Sequence, residues 1–184
     1  MSTFYSTQND LLLNNLLTFY KKNDNMTKML GIINGESRIS LRIIDWFATN
    51  YAKKNYTVYQ LQGFTNRFKV YNDYKLKLKA YSKKRFDPFC RWDRINIPYK
   101  DNSHIQTTIG QLNFFKWAIE NNVIDYIEHN YLSIEKDMNN RNSTAKDKKR
   151  EKLTNKTRKK REELSVSASK SIKKEEVEII VKFD

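Results

Sequence analysis

The chain has 184 residues, of which 39% are hydrophobic and 13% aromatic, and its formal net charge is +14. This length accommodates about one domain plus additional chain, and the aromatic content excludes a fully disordered protein. The single cysteine excludes a disulfide framework within the chain and a cysteine-based zinc site; no apolar run reaches the roughly 18 residues of a membrane-spanning helix, and the first residues lack the pattern of a secretory signal.

Two helices are predicted in the first third of the chain. Residues 10–21 carry leucine and aromatic side chains at three- and four-residue spacing, which is typical of an amphipathic helix. A second helix is predicted over residues 37–53, with Ile43 and Phe47 on its apolar face and Ser37 as its start signal.

A β-hairpin and an ambiguous segment follow. Residues 56–62 and 67–71 are rich in β-branched and aromatic side chains and are joined by a four-residue loop, which predicts two antiparallel strands. In residues 73–84, apolar side chains alternate with lysines, which fits a strand, but Lys, Leu and Ala are good helix formers. We expect a helix, because Tyr74 and Leu78 then share one face.

A second hairpin and a long helix complete this part of the chain. Residues 95–99 and 104–107 are predicted to pair as strands. Thr108 and Gln111 match the capping-box pattern, in which a hydroxyl caps the first helical turn and the glutamine reaches back.

The apolar spacing predicts that the long helix runs from residue 109 to about Met138, with a break near Asn130. Phe115 and Ile119 are its predicted core residues.

The last quarter of the chain is strongly basic. Residues 141–174 contain 14 Lys or Arg and 4 Asp or Glu, a net charge of +10, and no glycine, proline or aromatic residue. Because such a composition buries too little apolar surface to offset the entropy of ordering, we predict a disordered or conditionally helical tail. Alternating apolar residues at 177–183 then predict a terminal strand that pairs with the rest of the chain or with another copy.

These elements predict an α+β fold in which a small antiparallel sheet packs with about four helices. The predicted organisation is an N-terminal helical segment (residues 1–25), a compact body (26–138), a basic tail (139–174) and a strand-like C-terminal segment (175–184).

Residues that could carry catalysis are few. His104 and His129 do not have the spacing of metal ligands, Cys90 has both basic and apolar neighbours, and the 4 glycines form no phosphate-binding loop. We therefore expect a non-enzymatic protein without a metal or cofactor.

Two groups of basic residues are predicted to bind phosphate groups, because cations at this density release the counterions condensed on nucleic acid. The body group is Lys75, Lys77, Lys79, Lys83, Lys84, Arg85, Arg91 and Arg94, and the tail group is Lys148, Lys149, Arg150, Arg158, Lys159, Lys160 and Arg161. The tail spacing also resembles a bipartite nuclear-import signal. Aromatic residues interleaved with the body group fit either a core face or a surface on which bases stack.

Three stretches of the body have distinctive sequences that are not of low complexity: residues 38–47 (RISLRIIDWF), 78–91 (LKAYSKKRFDPFCR) and 107–120 (TTIGQLNFFKWAIE). Together they resemble a family of small basic proteins encoded by nucleocytoplasmic large DNA viruses, the giant viruses of protists and algae. The resemblance covers most of residues 29–138. It implies a viral protein made in an infected cell, and it supplies no catalytic residue.

The combined observations predict a structural or accessory protein that associates with nucleic acid, DNA in particular, with low sequence specificity, since no zinc finger or clear helix-turn-helix is present. The terminal strand is a candidate contact for homo-oligomers, and no membrane association is expected. Expected locations are the virion and the cytoplasmic viral factory, with the host nucleus as a further one. The alternatives are a virion scaffold or minor capsid protein that docks an acidic viral protein, and, less favoured, a transcription accessory factor. The sequence leaves DNA or RNA, and single or double strand, open.

Overall fold

A computed structural model describes residues 7–22, 24–63, 65–99, 104–151 and 173–175, and the side chains as far as Arg141. The helices are α1 (Gln8–Tyr20), α2 (Asn25–Ile33), α3 (Leu41–Trp46), α4 (Ala52–Lys54), α5 (Val70–Phe86), α6 (Ile109–Glu120), α7 (Val123–His129) and α8 (Tyr131–Glu151). A π-helical turn at Phe47–Tyr51 joins α3 to α4. The strands are β1 (Val58–Gln60), β2 (Arg67–Lys69), β3 (Ile95–Pro98), β4 (His104–Thr107) and β5 (Lys173–Glu175). The predicted α+β class is therefore confirmed.

The strands form two small antiparallel sheets. β1 pairs with β2, and Tyr59 lies opposite Phe68. β3 pairs with β4, and β5 pairs with the other side of β4. Both predicted hairpins are confirmed, with strands shorter than expected. The terminal strand predicted over residues 177–183 lies outside the described residues; β5 ends at Glu175, before it begins.

Helix α6 lies at the centre of the core. Leu112, Phe114, Phe115 and Trp117 are all buried, so the helix is covered by protein on most of its circumference. Phe115 is a core residue as predicted, but Ile119 is only partly buried. The reason is that Ile119 lies at the open end of α6, next to the turn that leads into α7.

The start of α6 is set by a hydroxyl cap and by a close approach of two helices. The Thr108 hydroxyl accepts a hydrogen bond from the Gln111 backbone N–H at 3.2 Å, as the sequence predicted. The Gln111 amide oxygen accepts from the Thr107 hydroxyl at 3.0 Å. Gly110 lies against the end of α5, where an added Cβ would be 2.9 Å from the Asp87 carbonyl oxygen. Only glycine permits this approach without a backbone shift.

The ambiguous segment is helical, and tertiary contacts explain why. Asp73 accepts a hydrogen bond from the indole N–H of Trp117 at 2.6 Å. The Tyr74 ring lies 5.7 Å from the Trp117 ring and 5.8 Å from the Phe86 ring, which are ordinary distances for aromatic pairs. In a helix, Asp73 and Tyr74 can both reach Trp117 of α6. In a strand, adjacent side chains point to opposite faces, so only one of the two could do so.

Helix α5 contains one strained residue. Ser82 has φ 64° and ψ 166°, a backbone conformation that is almost restricted to glycine. The break changes the direction of the last turn, which carries Lys83 and Lys84, and Phe86 is buried beyond it. Such a conformation costs about 1–3 kcal/mol and persists only where the surrounding contacts impose it.

Helix α1 belongs to the same core. Thr7 and Asp10 form a capping box at its start. Leu16 is fully buried, and the Tyr20 hydroxyl donates a hydrogen bond to the Leu112 carbonyl oxygen at 2.6 Å. Because its inner face contacts α6, α1 packs with the body rather than standing apart from it.

The structure corrects several helix boundaries. Helix α2 was not predicted, and α3 begins after Ser40, whose hydroxyl accepts from the Ile43 N–H, rather than near Ser37. The long helix breaks at Asn121 and Asn122 as well as at the predicted Asn130, because Asn122 has a positive φ of 52°. Helix α8 then continues past the predicted end at Met138.

Candidate nucleic-acid interface

The cations of the body group lie mainly along α5 and the segment that follows it. Lys75, Lys79, Lys83 and Lys84 are exposed and Lys77 is partly buried. Arg91 and Arg94 are exposed in the connection to β3. A single helix and its connection thus display most of the predicted body cations at the surface.

These cations have no acidic partners in the described part of the chain. The ion pairs there join Lys54 to Asp137 and Lys116 to Glu120, on other surfaces. Protein surfaces usually intersperse both signs of charge. An excess of unpaired lysines therefore leaves a positive field that attracts polyanions.

Two of the lysines contact aromatic rings instead of carboxylates. The Lys84 ammonium lies 3.8 Å from the centre of the Trp92 ring, and the Lys75 ammonium lies 5.7 Å from that of Tyr71. Such cation–π contacts orient an ammonium without neutralising it.

Arg85 and Arg94 differ from the lysines. Arg85 is partly buried, and its guanidinium donates to the side-chain oxygens of Asn9 at 2.8 Å and Gln8 at 3.3 Å on α1. Arg94 donates to the Gln106 side-chain oxygen at 2.8 Å. Arg85 therefore mainly joins α5 to α1.

The interleaved aromatic residues divide between the core and the surface. Phe86 and Tyr74 are buried, which excludes them as free stacking surfaces for bases. Tyr71, Phe89 and Trp92 are partly buried and keep part of each ring accessible. The core interpretation therefore holds for the first pair, and the stacking interpretation stays available for the others.

A cavity of about 830 Å³ opens between α3, the π-helical turn, α5 and residues 87–91; we call it the α5 groove. Its lining residues are Asp45, Thr49, Tyr71, Tyr74, Lys75, Leu78, Lys83, Asp87, Phe89, Cys90 and Arg91. The sequence did not predict this grouping. Asp45 and Thr49 are about 30 residues from Lys75, and no local pattern indicates that they meet.

The carboxylates of the groove have different environments. The Asp87 carboxylate accepts a hydrogen bond from the Phe89 N–H at 2.9 Å. In contrast, no hydrogen bond or ion pair from any described residue reaches the Asp45 carboxylate. Burial raises the pKa of Asp45 to about 7, and the negative charge of Asp87 adds to this increase.

The candidate catalytic residues do not assemble into a site. His104 and His129 are exposed, and the His129 Nδ1 lies 2.6 Å from the Asp125 carbonyl oxygen. Cys90 is partly buried in the α5 groove. Within the described residues, no group of three potential ligands is positioned to hold a metal ion.

The tail group is only partly described. Helix α8 includes Lys148, Lys149 and Arg150 near its end. The buried side chains of Ile134 and Met138 anchor its first half to the core. The remaining tail cations, Arg158, Lys159, Lys160 and Arg161, lie outside the described residues. In the ranges that the structure covers, no helix is both long enough and apolar enough to cross a membrane.

Comparisons with known proteins place the chain among viral relatives. A family described as "Family of unknown function (DUF7197)" matches residues 1–184. The "Uncharacterized protein L507" of Acanthamoeba polyphaga mimivirus is 48% identical over 128 residues, which cover 66% of this chain and 49% of that protein. The chain thus spans about half the length of this curated relative. No solved structure matches. The viral relative agrees with the resemblance of the three stretches to giant-virus proteins.

Proposed function

The chain belongs to the DUF7197 family, and we propose that it is a non-enzymatic protein of a giant virus that associates with nucleic acid in a structural or accessory role. The observation that carries the proposal is the row of exposed lysines on α5, none of which forms an ion pair with a described residue. Binding of such a surface to a polyphosphate is favourable, because it releases the counterions condensed on the polyphosphate.

The basic tail extends the same chemistry. It supplies +10 of the net charge of +14, and its first cluster lies on α8. If six tail cations contact phosphates, the slope of log K against log salt for duplex DNA is about −5, and affinity falls by roughly a thousandfold between 50 and 200 mM salt. Sequence specificity is expected to be low, because phosphate contacts carry no base information.

The viral relative supports a role in the infected cell, with the virion and the viral factory as the proposed locations. The basic composition fits this role, because DNA compaction or packaging needs many phosphate contacts rather than an element that recognises specific bases.

The test is binding of the full-length protein to random-sequence duplex DNA, measured by fluorescence anisotropy between 50 and 200 mM salt. The α5 variant K77E/K79E/K84E reverses three lysines outside the α5 groove. The tail variant reverses Arg158, Lys159, Lys160 and Arg161. We expect each to weaken binding at least tenfold and to flatten the salt slope.

The matched control is K21E/K22E/K136E, which removes the same charge from exposed lysines on other surfaces. We expect it to weaken binding less than threefold. Equal losses in the control and the α5 variant would assign the attraction to net charge and reject the α5 surface. Folded wild-type protein that binds neither DNA nor RNA at 50 mM salt would reject the proposed function, and the scaffold alternative would replace it.

A further inference from the structure

Contacts between exposed lysines and phosphates need only an open surface, so they do not account for the cavity of the α5 groove. We propose that it holds one unpaired nucleotide, either free or within a single strand, with the base against Tyr71 and Phe89 and the phosphate against Lys75, Lys83 and Arg91. This inference rests on the proposed function and names the part of the nucleic acid that the body recognises.

The size of the groove fits this occupant. Ligand pockets are usually about 300–1,000 Å³, and the cavity of about 830 Å³ lies within that range. A base inside a duplex is stacked and paired, so it enters such a pocket only after it leaves the helix. The groove therefore selects an unpaired nucleotide over a double strand.

The walls provide the contacts that a base needs. Tyr71, Leu78 and Phe89 line the groove and are partly buried, so their apolar surface faces the cavity instead of being fully covered. Stacking on aromatic side chains accepts any base and contributes about 5- to 150-fold per base to affinity.

The charged lining offers groups for both a phosphate and a base. Lys75, Lys83 and Arg91 are exposed, as expected for groups that meet a backbone phosphate. Asp45 is less exposed, and its carboxylate has no hydrogen-bond partner among the described residues. A partly buried carboxylate without such a partner is free to accept a hydrogen bond from a ligand. Carboxyl groups pair with exocyclic amines, which cytosine carries and thymine lacks.

The strained residue lies next to this site. Ser82, at φ 64°, immediately precedes Lys83, so the break in α5 sets the position of a groove cation. Backbone strain of this kind is concentrated at ligand sites, where it fixes side chains before binding.

Cys90, the single cysteine of the chain, lines the groove and provides the readout. Full-length protein is treated with a thiol reagent in the presence of dC15, dT15, a 15-base-pair duplex or cytidine monophosphate, at 150 mM salt. We expect dC15 to slow the modification of Cys90 at least fivefold and dT15 to slow it less. The monophosphate should protect only at millimolar concentration if the strand is the natural source, and at micromolar concentration if the free nucleotide is.

The variants R91Q and D45N test the assignment within the groove. R91Q is expected to abolish protection by all single strands, whereas D45N should equalise dC15 and dT15. The control K136Q, at an exposed position on α8 outside the groove lining, should leave protection unchanged.

Two results would overturn the proposal: equal protection by duplex and single strand, or protection that R91Q and K136Q reduce equally. The proposed function would still stand if the wild-type protein bound duplex DNA with a steep salt dependence but Cys90 were never protected. Loss of all binding to nucleic acid would reject both.

Discussion

Replacing Asp45 with Asn should stabilise the protein at high pH and have almost no effect at low pH. Asp45 is partly buried in the α5 groove, and burial raises its pKa from 3.8 to about 7. The titratable and charged residues that line the groove with it are Asp87, Lys75, Lys83, Arg91, Tyr71, Tyr74 and Cys90. Asparagine has nearly the same shape but no charge to desolvate.

The magnitude follows from the two pKa values. Between pH 3.8 and 7 the folded chain binds a proton at Asp45 that the unfolded chain has released, so stability falls as the pH rises through this window. The full penalty applies above pH 7 and is absent below pH 3.8. At about 1.36 kcal/mol per pKa unit it amounts to about 4 kcal/mol, and residual contact with water reduces it to about 2–4 kcal/mol.

The assay is urea unfolding of wild type and D45N at pH 4.5, 6 and 8. The difference in the free energy of unfolding should be small at pH 4.5 and reach about 2–4 kcal/mol in favour of D45N at pH 8. The exposed Asp93 provides the control, since D93N should change stability by less than about 0.5 kcal/mol at each pH. A pH-independent difference would indicate a packing effect, and a destabilised D45N at pH 8 would show that the carboxylate is paired; either result refutes the argument.

Two further predictions concern the core and the strained helix. Phe115→Ala should lower the free energy of unfolding by about 3–5 kcal/mol in chemical denaturation, whereas Ile119→Ala, at a partly buried position, should cost less than half as much; equal costs would contradict the burial of Phe115. Ser82→Gly should raise the melting temperature, since it removes about 1 kcal/mol of strain at φ 64°, and a lowered value would show that the serine conformation is not strained.

Local sequence signals predicted the elements whose structure is decided locally. The Thr108 cap and the spacing of Leu112 and Phe115 indicate α6, since a hydroxyl cap and a 3.6-residue period act within one helix. Helix α2 was missed although Asp24, a common N-cap residue type, directly precedes it. The polar residues 23–25 indicate a loop as readily as a helix start.

The candidate interface also has one part that the sequence indicates and one part that it does not. The α5 lysines could be predicted, because a local excess of one charge can be counted in the sequence without knowledge of the fold. The α5 groove could not be predicted, since it depends on the packing of the π-helical turn and α4 against α5, which places Asp45, Lys75 and Lys83 in the lining of one cavity. The environment of Asp45 likewise arises from tertiary burial, which no spacing rule reports.

The hydrogen bond between Tyr20 and the Leu112 carbonyl has a consequence for protein synthesis. The two residues are separated by 92 positions, and at roughly 5–20 residues per second the ribosome needs about 5–18 s to make that length. During this interval α1 has been made but α6 has not, so the apolar face around Leu16 lacks its partner. The contact between α1 and α6 therefore forms only after residue 112 has emerged, and until then this face of α1 remains exposed on the nascent chain.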